Sequence, residues 1–389
     1  MQSSAGKNTY SRLQSKLLLP SIPALDGIRA IGVLLVILYH LRSERTLPFL
    51  PAPQALLAFF VLSGFLITWV LLKEEEKFGA ISLKGFYRRR VLRIFPAFYV
   101  FWVIAVAFRV MTHGRNVAWL DAFSAFFYVS NYVFALFPQT TNYMIHTWSL
   151  SAEEQFYLLW PLSFLLFPRK RKPLMIGLVA LIAAIWIHRV HIWMVARATE
   201  YITYAFDTRV DALLVGCLLA LALKEGLGKW LLEKICRPVW APLGTGLLIG
   251  ISVFAGQSSE GYRLTGGLAI EPLLLAILMC QLIVHSASWL WKWLNARPVV
   301  YLGKISYSMY LYHWVAEYIA LRIPGLSTPL LVMTTIFLGI TMASCSYHFI
   351  EKPFLALKSS SSPPRRTSRI PLTSPDLGDR PTSSPTPAS

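Results

Sequence analysis

Three ionisable side chains, Asp26, Arg29 and His40, lie in the first long apolar run, LDGIRAIGVLLVILYHL. Charged groups deep in a membrane span cost a few kcal/mol or more, so each one asks for a functional reason. Arg29 and His40 are eleven residues apart. On a helix that spacing returns them to within about 20° of each other, about 16 Å apart along the axis. One face then carries a permanent cation at one end and an imidazole at the other. An imidazole, with an ordinary pKa of about 6.5, suits a general base at neutral pH. Asp26 precedes Arg29 by three residues and can pair with it one turn apart. A snorkelling arginine with an interfacial histidine would produce the same pattern without chemistry.

A second cluster is FYRRRVLRIFPAFY, where Arg88, Arg89, Arg90 and Arg93 precede another apolar run. Basic juxtamembrane runs commonly meet lipid headgroups. Here Arg89 and Arg90 each lie about one turn from Arg93, so a helix would aim guanidinium groups together, as suits phosphate oxygens. That predicts an anionic ligand on the cytoplasmic side. In HTWSLSAEEQFYLLWP, Ser151 followed three residues later by Glu154 reads as a capping box that opens a helix. It explains Glu154 and leaves Glu153 without a structural role. Glu153 is in phase with Phe156, Tyr157 and Trp160 on a helix starting where His40 ends, so the pair is expected to meet as a base and its orienting partner. His146 reads as loop.

Two weaker clusters remain. Asp207, Arg209 and Asp211 in FDTRVDALLVG would form either a self-satisfied ion pair or a substrate contact. Ser306, Tyr310 and His313 in LGKISYSMYLYHW share one helix stripe, where polar groups also serve helix packing alone. Ser63 and Gly64 are read as permitting close helix approach.

The elements that must position these residues are membrane helices. The chain is 55% hydrophobic and only 14% charged, against about 25% charged in a soluble domain, and its mean hydropathy is +0.52. The 13 Trp and 17 Tyr suit helix ends in two interfaces. Apolar runs of spanning length fall near 25–42, 54–72, 95–112, 153–168, 174–193, 206–223, 240–256, 266–285, 299–321 and 329–350, with a further run at 119–137. The net charge of +18 is clustered between the runs, as in loops that face cytoplasm and anionic lipid. This speaks against nucleic-acid binding. If 119–137 crossed, Arg169, Lys170, Arg171 and Lys172 would fall outside, against the positive-inside rule. The expected fold is therefore an all-α polytopic membrane protein of about ten transmembrane helices plus one re-entrant or interfacial segment, both termini cytoplasmic. Residues 1–24 form a cytoplasmic segment without the pattern of a cleavable signal peptide, 25–354 the membrane domain, and 355–389 a disordered Ser/Pro-rich tail. Cys217, Cys236, Cys280 and Cys345 lack metal-like spacing and read as packing residues.

Taken in order, LDGIRAIGVLLVILYH, FFVLSGFLIT, YRRRVLRIFP, HTWSLSAEEQFYLLWP, RVDALLVG, LGKISYSMYLYH and EKPF resemble acyltransferase family 3, bacterial membrane O-acyltransferases of carbohydrates, over about Leu25 to Phe354. Arg29 and His40 match the family's Arg/His pair in its first span. Arg89, Arg90 and Arg93 match its arginine motif, and Trp148, Ser149, Leu150 and Glu153 its Trp-Ser-Leu-x-x-Glu motif. The resemblance implies an enzyme of the inner membrane, in the form without a fused esterase-like domain. Acyl-CoA, acetyl-CoA foremost, would be its co-substrate, with phosphates on Arg89, Arg90 and Arg93; no metal is implied. His40 would take the proton of an acceptor hydroxyl, or itself carry the acyl group as an acyl-histidine, with Glu153, Arg29 and Asp26 in support. Asp211, Arg209, Tyr310 and His313 would be weaker substrate contacts. The expected partners are a carbohydrate or glycoside acceptor, the lipid bilayer and envelope-polysaccharide assembly proteins. The competing reading is a polytopic transporter of a glycan or glycolipid, whose pathways are also lined by buried charges.

Overall fold

The computed structural model describes residues 9–19, 21–41, 52–113, 118–138 and 143–357, and all the regular structure among them is helical. Seven helical stretches are long and apolar enough to cross a membrane: Pro23–His40, Pro53–Phe78, Leu83–Thr112, Arg171–Ala196, Ala241–Ser258, Glu260–His285 and Thr328–Ala356. In chain order the elements are α1 (Thr9–Leu17), α2 (Pro23–His40), α3 (Ala52–Phe78), α4 (Leu83–His113), α5 (Trp119–Phe126), α6 (Ser130–Leu136), α7 (Thr147–Leu166), α8 (Arg171–Ala196) and α9 (Thr199–Tyr204). They continue as α10 (Phe206–Glu225), α11 (Lys229–Ile235), α12 (Ala241–Ser258), α13 (Glu260–Tyr262), α14 (Leu268–His285), α15 (Arg297–Ala320), α16 (Thr328–Ser346) and α17 (Lys352–Ala356).

Three further helices, α7, α10 and α15, have 20, 20 and 24 residues. They have spanning length but carry many polar residues, which they bury in the bundle. α10 is buried nearly all round, as expected of an apolar helix without a solvent or lipid face. Conversely Met194, Leu247, Ile251, Met333 and Phe337 on α8, α12 and α16 are exposed. Such an apolar periphery is tolerable in lipid and a liability in water.

Close helix approach fixes the centre. At Gly64 of α3 a Cβ would run into the Leu213 backbone of α10, and at Gly216 of α10 into the Val61 backbone of α3. Only glycine lets the two backbones touch. Gly303 does the same for α15 against the Asp26 backbone of α2. Gly64 thus has the packing role expected of it, whereas Ser63 turns its hydroxyl to Glu153.

The run 119–137 is not one helix. Tyr128 takes a left-handed φ of 55°, which splits the run into the eight residues of α5 and the seven of α6. At about 1.5 Å per residue neither reaches across a hydrocarbon core of about 30 Å. α1 lies across the ends of other helices. Lys16 Nζ donates to the Ile283 and Val284 carbonyls at 2.8 and 3.0 Å, the C-terminal end of α14 where a cation is favoured. The Tyr10 hydroxyl donates to Leu223 O at 2.7 Å. At the other end α17 ends at Ala356, and the tail from 358 on lies outside the described residues.

Candidate active site

Two cavities among the described residues lie within the bundle. The first, of about 280 Å³, is bounded by α2, α3, α4, α7 and α15. It gathers five cations, Arg29, Arg89, Arg90, Arg93 and Lys304, against three carboxylates, Glu153, Glu154 and Glu351. The three arginines expected to act together thus line one cavity. They are not equivalent. Arg89 is ion-paired with Glu74, and Arg90 lies over the Tyr157 ring at 4.9 Å. Neither Arg90 nor Arg93 joins an ion pair among the described residues. Arg29 Nη1 reaches Asp26 Oδ1 at 3.5 Å, the one-turn pair read from the spacing.

The second cavity, of about 370 Å³, holds His40, His146, Arg209, Arg263 and Glu271. His40 Nδ1 is 2.9 Å from the Val36 carbonyl one turn back. A carbonyl only accepts, so the ring proton sits on Nδ1 and Nε2 is the basic nitrogen. The His40 ring packs 4.9 Å from His313 and 5.2 Å from Trp314. His313 in turn donates from Nδ1 to Tyr310 O at 2.6 Å, and its Nε2 has no partner. The rings of His146 and His313 are 5.3 Å apart.

The cavities share a wall made of Leu56 and Tyr310. The Tyr310 hydroxyl donates to the His146 carbonyl at 2.5 Å and lies 2.8 Å from Ser149 Oγ. It therefore fixes the start of α7, the helix that contributes to both cavities.

Two expectations are corrected here. First, Glu153 does not orient His40. Its carboxylate accepts from Ser63 at 2.9 Å and from Tyr157 at 3.4 Å, in the basic cavity. The orienting group of His40 is the Val36 carbonyl of its own helix. Second, the capping box is not one. α7 already starts at Thr147, and Ser151 donates to the Thr147 carbonyl at 3.2 Å and meets Ser130 at 2.8 Å. The helix therefore begins about one turn earlier than read, which carries Glu153 deeper and leaves Glu154 lining the basic cavity. His146 lies in the turn before α7, as its reading as loop has it. It is 2% exposed and lines the second cavity.

Of the weaker residues, Tyr310 and Arg209 line the histidine cavity, and His313 lines neither cavity but packs against the His40 ring. Asp211 lines neither. Its Oδ2 accepts from Arg189 and Trp186, both at 2.9 Å, so it is spent on a buried pair whose cation is Arg189, not Arg209. Asp207 likewise accepts from Tyr132, Tyr201 and His188. Glu271 escaped the sequence reading, although a carboxylate inside the 266–285 run was a signal for it. Gln54 and Ser252 both donate to it, at 3.0 and 2.8 Å. Burial pushes the Cys236 thiol up to about 12, so it supplies no thiolate. Among the described residues no cluster of His, Cys, Asp or Glu could hold a metal ion.

The molecule is thus a polytopic helical membrane protein with two adjoining cavities, the arginine cluster of α4 in one and His40 and His146 in the other. It belongs to acyltransferase family 3: the family's model, described as an acyltransferase domain, matches residues 22–349. The chain is similar to the peptidoglycan O-acetyltransferase OatA of Listeria monocytogenes, 32% identical over 358 residues that make up 85% of this chain and 55% of that protein. It is also similar to the O-acetyltransferase OatA of Staphylococcus aureus, 29% identical over 369 residues covering 88% of this chain and 59% of the relative. The chain therefore spans little more than half the length of these curated relatives. No solved structure matches it.

Proposed function

We propose that this protein is a membrane O-acyltransferase. It would pass a short acyl group, acetyl foremost, from acyl-CoA in the basic cavity to a hydroxyl of a cell-envelope or secreted carbohydrate in the histidine cavity. The observation that carries this reading is the shared wall of Leu56 and Tyr310 between the two cavities. A donor anchored among the arginines has only to reach past that wall to bring its thioester to His40. Family membership supports acyl transfer, and the names of the relatives, O-acetyltransferases and in one case a peptidoglycan O-acetyltransferase, support an acetyl donor and a glycan acceptor.

On this reading α2, α3, α4, α7, α8, α10, α12, α14, α15 and α16 are ten spans, and α5 with α6 forms a re-entrant pair. The Lys/Arg clusters then put both termini and the basic cavity in the cytoplasm. The histidine cavity faces the other side. Arg90 and Arg93, free of ion pairs, receive the donor phosphates, and Arg89 is held beside them by Glu74. His40 Nε2 takes the acceptor's hydroxyl proton as its oxygen attacks the thioester carbonyl. The C–S bond breaks, and the CoA thiolate leaves into the basic cavity. Glu153 belongs with the donor, where its carboxylate offsets the charge of Arg29 and Arg90.

His40→Gln removes the base while keeping a polar side chain of similar reach. Transfer of labelled acetyl groups to envelope carbohydrate in cells should fall by about 10²-fold or more at equal protein level. Undiminished transfer would sink the assignment.

A further inference from the structure

We propose that the histidine cavity is built for an acceptor carrying an oxyanion, carboxylate or phosphate, next to its sugar ring, and that Arg209 is the residue that receives it. The inference rests on the acyltransferase reading and adds to it the chemical class of the acceptor.

The carrying observation is a buried cation that makes no direct ion pair among the described residues. Arg209 is 5% exposed and lines the cavity. No hydrogen bond or ion pair engages its guanidinium among the described residues, and its Nε is a buried donor without a partner. The carboxylate two residues on is committed elsewhere: Asp211 pairs with Arg189. Glu271 lines the same cavity as an anion at longer range: its oxygens accept from Gln54 and Ser252, and no ion pair joins it to Arg209. Arg209 has instead the face of Trp148, 5.5 Å away. A permanent cation held in a low-dielectric interior is costly unless something pairs with it. A fork of N–H donors with no protein acceptor is complementary to a planar carboxylate or a phosphate.

The rest of the cavity suits a sugar attached to that anion. Trp148 and Tyr204, with ring centroids 5.4 Å apart, give an aromatic wall. Gln54 and Gln257 add neutral polar groups. His146 contributes an imidazole ring. Apolar walls with a few placed polar groups are the usual make-up of a small-ligand site. A second cation, Arg263, lines the cavity too, and its bond to Glu260 is at the surface and weak. The fixed charges of the cavity are thus two arginines to one carboxylate.

The test uses the full chain, purified in detergent, and equilibrium dialysis of four labelled probes. These are N-acetylglucosamine, N-acetylmuramic acid, N-acetylglucosamine 1-phosphate and inorganic phosphate. N-acetylmuramic acid differs from N-acetylglucosamine by its lactyl carboxylate. One or both anionic sugars should bind roughly tenfold or more tighter than the neutral one, and which of them does so identifies the anion. Arg209→Gln should abolish that preference and retain weak binding of the neutral sugar. Arg263→Gln, at a half-exposed position, should reduce the preference and serves if Arg209→Gln does not fold. Equal binding of neutral and anionic sugars overturns the proposal, as does an unchanged preference in a folded Arg209→Gln or in Arg263→Gln. Inorganic phosphate binding as tightly as the sugar acids also overturns it, because the site would then hold an ion only. If no probe binds, the proposal fails as well. Turnover of acetyl-CoA by the same sample then shows whether the enzyme reading survives without it.

Discussion

Asp211→Asn should destabilise the protein severely without touching its chemistry. The side chains of the Arg189–Asp211 pair are only 1% and 2% exposed, and Asp211 Oδ2 accepts from Arg189 and from Trp186, each at 2.9 Å. At that separation and an effective dielectric of about 20 the attraction is about 6 kcal/mol. Burying the two ions costs several kcal/mol each, so the pair as a whole contributes little. Removing one partner is different. Asparagine would leave the Arg189 guanidinium charged and unmatched between α8 and α10, at a cost of about 3–5 kcal/mol. Thermal unfolding in detergent should show a fall of the midpoint on the order of 5–10 °C. The double substitution Arg189→Met with Asp211→Leu removes both charges and should recover most of the loss. Turnover of acetyl-CoA per folded molecule in the double variant should stay within about threefold of the parent. The reasoning is refuted by an Asp211→Asn protein as stable as the parent. A stable double variant without turnover would refute it too, because Asp211 would then be a substrate group.

Two further outcomes follow from the geometry. Arg90→Met combined with Arg93→Met should raise the KM for acetyl-CoA roughly tenfold or more through lost charge-assisted bonds, with a smaller effect on kcat; an unchanged KM would remove the phosphate assignment. Gly64→Leu should block folding, because the new side chain collides with the Leu213 backbone. Gly177→Leu, where nothing lies within 4 Å, is the control and should leave the folded yield in membranes unchanged.

Much of the site was legible because helical phase is rigid. Once 23–40 is a helix, Asp26, Arg29 and His40 have to share a face, and the Arg29–Asp26 pair forms as its spacing requires. Gly64 could likewise be read, since a small residue in an apolar run has few uses besides close approach. What misled was a local signal with a tertiary competitor. Ser151 and Glu154 have capping-box spacing, but the Ser151 hydroxyl is used by Ser130 across to α6 and by the Thr147 carbonyl. The resulting shift of about one turn separated Glu153 from His40. The surroundings of His146 and Arg209 were hidden for a related reason. Whether a polar side chain in a bundle is satisfied depends on neighbours from other helices, and no spacing along α7 or α10 reveals that Asp211 is taken by Arg189 of α8. The break at Tyr128 was also out of reach, because a tyrosine at positive φ leaves no compositional mark.

The central claim is that donor and acceptor enter from opposite faces and meet at the wall of Tyr310 and Leu56. Proteoliposomes containing the purified protein test it directly, with acetyl-CoA sealed inside and a membrane-impermeant glycan acceptor outside. The account predicts acetylation of the external glycan in that arrangement, and none when acetyl-CoA and glycan are both supplied only outside. Transfer with both on the same side, and none when they are separated by the bilayer, would contradict it.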